Sequence, residues 1–154
     1  RHTRYGTVTG VQTCALPIWA ARQGDVAAQL NLAEAHEAGR GVAQDPAAAV
    51  AWYRRAASQG HAEAQYRLGL MYEIGRGAPE DARQAAEWYR LSAVQGHGDA
   101  QYALGWMYHD GRGVPQSDRK AEELFAAALL DAGACQCEQF DCRKSSLELW
   151  RPPN

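Results

Sequence analysis

The tripeptide Gly-Arg-Gly stands at Gly39-Arg40-Gly41, returns at Gly75-Arg76-Gly77 and returns again at Gly111-Arg112-Gly113, 36 residues later each time. Other pairs keep the same interval. Trp52-Tyr53 becomes Trp88-Tyr89 and then Leu124-Phe125, Gln59-Gly60-His61 becomes Gln95-Gly96-His97, and Ala64-Gln65-Tyr66 becomes Ala100-Gln101-Tyr102. A chain built this way folds by stacking like units, each burying the face that its neighbour leaves open. Three units follow, at about 25–60, 61–96 and 97–133.

Each unit reads as two helices. In the second, helix A covers about 62–73, where Leu68, Met71 and Tyr72 share one face at the i, i+3, i+4 spacing. Gly69 lies on a packed face, and its equivalents Ala33 and Gly105 are also small, which lets a neighbouring helix approach. Helix A then meets Gly75, suited to the left-handed turn that ends helices. Helix B covers about 82–94, with Ala85, Trp88, Tyr89 and Ala93 on one face. In the first unit, Asp45-Pro46 marks the start of helix B. Asp accepts a hydrogen bond from a free N–H, and Pro at the first helical position has none to leave unpaired. No alternating strand pattern occurs between 20 and 133. The expected fold is all-α: a right-handed α/α solenoid of helix-turn-helix repeats.

The run AEAQYRLGLMYEIGRGAPEDARQAAEWYRLSAVQG resembles the Sel-1-like repeat, a branch of the tetratricopeptide-like helical-repeat superfamily. The resemblance covers 25 to 133 and rests on three markers together: A-x-A-x-x-x-L-G-x-x-Y, the G-x-G turn and A-x-x-W-Y-x-x-A-A. It implies a scaffold that gathers other proteins, often at bacterial envelopes or host contacts. Some members carry a cysteine pair in each repeat and have been linked to β-lactam binding. This chain has no cysteines at those positions, so that implication does not transfer.

The two ends depart from the repeat. Residues 19–24, WAARQG, match the end of a helix B, shifted by 36 from Arg55–Gly60. The rest of that unit is replaced by RHTRYGTVTGVQTCALPI. Val8–Ile18 matches the in-frame translation of a common short-read sequencing adapter, so residues 1–18 read as a non-native leader on a truncated gene. On that reading Cys14 is irrelevant and any original signal peptide is lost. The leader is expected to be extended or poorly defined. At the other end, residues 134–154 offer Leu147, Leu149 and Trp150 as a short capping helix near 144–150.

Little in the sequence points to catalysis. The formal charge is −2, with 16 basic and 18 acidic residues and no basic block, which argues against phosphate-backbone binding. No apolar run reaches the ~18 residues of a membrane span. Gly-Arg-Gly lacks the further glycines and the Lys-Ser/Thr of a phosphate loop. His61 and His97 occupy the same place in successive units, so they read as loop or capping residues rather than metal ligands. Cys135, Cys137 and Cys142 lack a fourth ligand and fit no standard zinc spacing. Glu122 and Glu123 read as solvated charge. Trp52, Tyr53, Trp88 and Tyr89 read as inter-helix core.

The expected function is therefore a non-catalytic scaffold or adaptor that binds a peptide or partner protein on a concave surface lined by helix A. The candidate contacts are Asn31, Glu34, Arg67, Leu70, Glu73, Ile74, Trp106, His109 and Asp110, with no metal or cofactor. The groove is expected to be acidic at the Glu34 end and apolar toward Leu70, Ile74 and Trp106. The alternative is an enzyme or enzyme subunit acting on cell-wall or β-lactam-type substrates.

Overall fold

A computed structural model describes residues 15–131. They form seven α-helices: α1 (Ala15–Arg22), α2 (Val26–Ala38), α3 (Pro46–Ser58), α4 (Ala62–Ile74), α5 (Ala82–Ala93), α6 (Gly98–Asp110) and α7 (Asp118–Asp131). Among the described residues there is no strand. Helices α2, α4 and α6 are the three copies of helix A, and α3, α5 and α7 the three copies of helix B. Each helix packs mainly on its neighbours in sequence, as an α/α solenoid requires.

Repetition is visible at every helix boundary. Asp25, His61 and His97 are equivalent residues, and each caps its helix A by accepting a hydrogen bond from the amide three residues on. The capping role expected for both histidines is met through Nδ1, at 3.4 Å from the Ala64 amide and 3.3 Å from that of Ala100. Asp45 and Asp81 cap helix B in the same way, with Pro46 in the first turn of α3. Gly39, Gly75 and Gly111 end helix A with φ of 69°, 67° and 69°. That left-handed conformation is cheap only for glycine.

The core runs through all the units. Leu68 is fully buried, and Met71 and Tyr72 nearly so. Gly69 faces the ring of Tyr89, where an added Cβ would sit 2.6 Å from the nearest ring atom; Gly105 stands in the same relation to Phe125. The small residue on helix A is thus the seat of the helix B aromatic. Tyr53 and Tyr89 are completely buried, whereas Trp52 and Trp88 are only partly so. The tyrosines form the core as expected, and the tryptophans pack against it from its edge. Adjacent residues on a helix point about 100° apart, so one faces inward and the other lies at the rim. The Arg55 guanidinium covers the Trp52 ring at 4.5 Å.

Buried glutamines tie each helix A to the helix before it. Gln29, Gln65 and Gln101 donate to the carbonyls of Ala21, Ala57 and Ala93, each eight residues back. Those carbonyls lie in the last turn of the preceding helix, where the helix itself supplies no donor. Gln29 thus bonds to α1 as Gln65 bonds to α3 and Gln101 to α5. The leader differs from expectation in one respect: α1 begins at Ala15, so residues 15–18 are helical. Nothing in Ala-Leu-Pro-Ile forbids this, because a proline in the first turn removes an amide that has no helical partner anyway. Residues 1–14 lie outside the described residues.

The second glycine of the second and third turns sets the spacing between units. Gly77 has φ of +77°, and a Cβ there would fall 2.2 Å from the Pro46 carbonyl oxygen; Gly113 meets the Ala82 carbonyl oxygen at the same 2.2 Å. Gly60 shares a positive φ of +88° but has nothing within 4 Å of its would-be Cβ. Two substitutions therefore separate backbone strain from steric exclusion. Gly60→Ala should cost about 1 kcal/mol, from strain alone. Gly77→Ala should cost about 3 kcal/mol or more, because strain and overlap add. Urea unfolding of the two variants checks this, and equal losses would remove the spacing role from Gly77.

Candidate docking surface on helix A

The candidate contact residues fall on α2, α4 and α6, but they are not alike. Asn31 is exposed, and Glu34, Arg67, Leu70 and Glu73 are half-buried. Ile74 is 61% exposed and Asp110 is also open to solvent. Trp106 is half-buried rather than free. Its ring meets Phe125 edge-on at 5.5 Å, with Tyr102 at 6.2 Å and His109 at 5.5 Å on its other sides. The described Trp106 thus shares the features of a surface anchor and of an inter-helix residue.

Glu73 has a structural task. Its carboxylate accepts the Tyr89 hydroxyl at 2.7 Å and Arg112 Nη1 at 3.1 Å. One unit earlier, Glu37 accepts the Tyr53 hydroxyl at 2.7 Å, and Arg76 Nη2 donates to the Glu37 carbonyl at 3.2 Å. In each case the tyrosine comes from helix B of the same unit and the arginine from the turn of the next. The arginine of Gly-Arg-Gly is thus a clamp onto the preceding unit. Burial, followed by the bond to the glutamate, pushes both tyrosine hydroxyls well above their usual range, so they act as permanent donors. The third unit carries Phe125 where the hydroxyl would be and His109 in place of the glutamate; His109 lies 3.1 Å from Asp118.

The expected acidic end of the groove is instead mixed in charge. Glu34 and Glu37 share a pocket of about 330 Å³ with Arg40, Arg67 and Arg76. The loops bring two of these arginines in, which the helix A pattern alone does not reveal. Arg40 lies 3.8 Å from Glu34, and Arg76 Nη1 lies 3.8 Å from the Glu37 carboxylate. Leu70 and Ile74 on α4, and Tyr102 and Trp106 on α6, are by contrast apolar, and Tyr102 is 54% exposed.

A junction the sequence reading missed holds α4 against α6. Glu63 accepts Arg67 Nε at 2.6 Å and pairs with His97 Nε2 at 2.7 Å. Because His97 Nδ1 already accepts the Ala100 amide, the network places the ring hydrogen on Nε2, toward Glu63. Tyr66 stacks on the same imidazole at 4.9 Å. The recurrence of Gln-Gly-His in two units was the signal for the cap, but the partner lies 34 residues away on another helix. Of the remaining sequence candidates, Cys14, Cys135, Cys137 and Cys142 lie outside the described residues. Among the described residues no group of three His, Cys, Asp or Glu could hold a metal ion, and no helix is long and apolar enough to cross a membrane.

The Sel1 repeat family model matches at residues 26–61, 62–97 and 98–130. The chain belongs to the Sel1 repeat family. Among solved structures it is similar to c5321, a protective antigen of uropathogenic Escherichia coli strains with an SLR fold, at 35% identity and a TM-score of 0.76. That match covers 82% of this chain but only 27% of the antigen, so the chain spans about a quarter of that relative's length. It is also similar to a Sel1 repeat protein from Oxalobacter formigenes, at 34% identity and a TM-score of 0.72, covering 90% of this chain and 99% of that one. The Helicobacter pylori cysteine-rich protein B shares the fold at 19% identity and a TM-score of 0.62, covering 82% and 92% of the two chains. No curated protein matches. Sel1 repeat proteins generally mediate protein–protein interactions and are typically non-catalytic scaffolds.

The Glu63 junction has a pH signature. Burial alone would raise this carboxyl, but hydrogen bonds from Arg67 and His97 outweigh burial and hold it below its ordinary value. A depressed folded-state value means the contribution is fully present above the unfolded-state value, about 4.3. It is lost as pH falls through the lower folded value. Glu63→Gln should cost about 1 kcal/mol at pH 7 and less below pH ~4. Thermal melts from pH 3 to 7 measure this, and a pH-independent difference would contradict it.

Proposed function

We propose that this chain is a docking module that receives an apolar-anchored segment of a partner protein on the helix A face at the boundary of α4 and α6. The observation that carries this reading is the exposure of apolar side chains on those helices. Ile74 and Tyr102 are 61% and 54% exposed, and Leu70 and Trp106 lie half-buried on the same two helices. The position of Leu70 and Trp106 holds Glu34 in the first unit, and that of Ile74 holds Ala38 and Asp110 in the other two, so packing of the repeat does not require large apolar side chains at those two positions. Aromatic residues flanked by polar groups are the usual energetic centres of protein interfaces. Arg67, Asp110 and Asn31 supply a polar rim, whereas Glu73 and His109 serve mainly to support the surface. Membership of a family that generally binds proteins agrees with this assignment.

The locks described above favour binding. A surface already fixed by the Glu63–His97 pair and the Glu73–Arg112 clamp loses little freedom when a partner docks. Selection of displayed peptides against the full chain should enrich sequences with a large apolar anchor. Trp106→Ala should weaken the selected peptide by about 30-fold, on the order of 2 kcal/mol. The same variant should lose no more than about 2 kcal/mol of fold stability, because Trp106 is only half-buried; a buried aromatic would cost 3–5. Leu91→Ala, on α5, should leave affinity unchanged. Equal affinity for the wild type and Trp106→Ala would remove the site from this face.

A further inference from the structure

The pocket formed by α2, α4 and the turns that follow them is lined by Glu34, Glu37, Arg40, Arg67 and Arg76. Its composition is not repeated. One unit on, Leu70, Ile74 and Ala103 stand where Glu34, Ala38 and Arg67 line it. Packing of the repeat therefore does not require Glu34 or Arg67, and their charges need another explanation.

The lining holds more hydrogen-bond donors than its own acceptors use. Glu37 is engaged by the Tyr53 hydroxyl and by Arg76. Arg67 gives Nε to Glu63, which leaves its two Nη groups for the pocket. Arg40 lies 3.8 Å from Glu34, beyond hydrogen-bond reach. Each guanidinium carries five N–H donors. In every one of these ion pairs the arginine is also the more exposed partner. The side chains are 73% against 33% exposed for Arg40 and Glu34, 41% against 23% for Arg76 and Glu37, and 40% against 32% for Arg67 and Glu63. What the pocket offers to solvent is thus positive charge and unused donors, although carboxylates line it. Guanidinium groups hold a carboxylate more strongly than they hold a neutral acceptor. Arg67 also shares α4 with the apolar docking residues. It lies seven residues before Ile74, ~10 Å along the helix axis, which an extended segment covers in about three residues. We propose that this pocket binds an acidic side chain of the partner segment, an Asp or Glu held by Arg40 and Arg67 about three residues from the apolar anchor. The spacing rests on the docking face assigned above to α4 and α6.

Peptides selected on the full chain are the probe. The enriched pool should carry Asp or Glu about three residues from its apolar anchor. Exchanging that acid for its amide should weaken binding to the wild type about 10-fold, and high salt should shrink the difference. On Arg40→Gln, and separately on Arg67→Gln, the acid and amide peptides should bind alike. Each comparison is a ratio of two peptides on one protein, so a general loss of stability cancels. Arg40 is exposed and loosely paired, so Arg40→Gln should also leave the thermal midpoint unchanged. Trp106→Ala should weaken both peptides by the same factor. A pool without acidic residues, or an acid-to-amide ratio equal on the wild type and both arginine variants, would overturn the pocket while leaving a Trp106-dependent docking face intact. Binding that depends on Arg40 but not on Trp106 would support the pocket and overturn the apolar face together with the three-residue spacing. A selection that enriches nothing would overturn both.

Discussion

The close approach of the second and third Gly-Arg-Gly turns to the helix B before each is the contact on which the rest of the array depends. Gly77 rests against the carbonyl of Pro46 and Gly113 against that of Ala82, at a distance no side chain permits. This fixes how far one unit lies from the next. The arginine between the glycines then reaches back 39 residues to the preceding glutamate, as Arg76 does to Glu37 and Arg112 to Glu73. A single tripeptide thus ends helix A, spaces the units and clamps them together. Three jobs in three residues explain why it is the most regular feature of the chain.

Polar side chains do an unusual share of this coupling. The glutamines at 29, 65 and 101 serve carbonyls at helix ends, and the tyrosine hydroxyls at 53 and 89 orient the clamped glutamates. Alanine fills much of the interior: Ala33, Ala49, Ala56, Ala64, Ala85 and Ala100 are completely buried. Small core residues bring helices close but bury little apolar area each, so directed hydrogen bonds contribute much of the register between units. The outcome is a stiff support for whatever the helix A face presents. Within that face one position changes from Glu34 to Leu70 to Trp106, and another from Ala38 to Ile74 to Asp110.

Much of the fold was legible because the chain supplies its own comparison. The 36-residue interval located the helices, their caps and the turns to within a residue or two, since each signal occurs two or three times. What remained hidden involves partners on different elements. Glu63–His97, Tyr89–Glu73 and Arg76–Glu37 span 34, 16 and 39 residues, and periodicity on one helix says nothing about them. One clue to the second pair was available. Where Tyr53 and Tyr89 give way to Phe125, Glu37 and Glu73 give way to His109, a joint change that marks two side chains in contact. For the docking surface, the sequence located the variable positions on helix A. It did not reveal that Glu73 is committed to a clamp, that the Glu34 end gathers three arginines, or that Trp106 leans on Phe125.

A scaffold assignment rests on which face of the array meets other proteins, and that can be measured directly. A photo-crosslinking amino acid placed at Leu70 or Ile74 on α4, and in parallel at Glu87 or Leu91 on α5, reports what each face touches when a bound partner peptide is present. The docking account predicts strong crosslinks from positions 70 and 74 and background levels from 87 and 91. Crosslinks confined to positions 87 and 91 would place recognition on helix B and contradict the account.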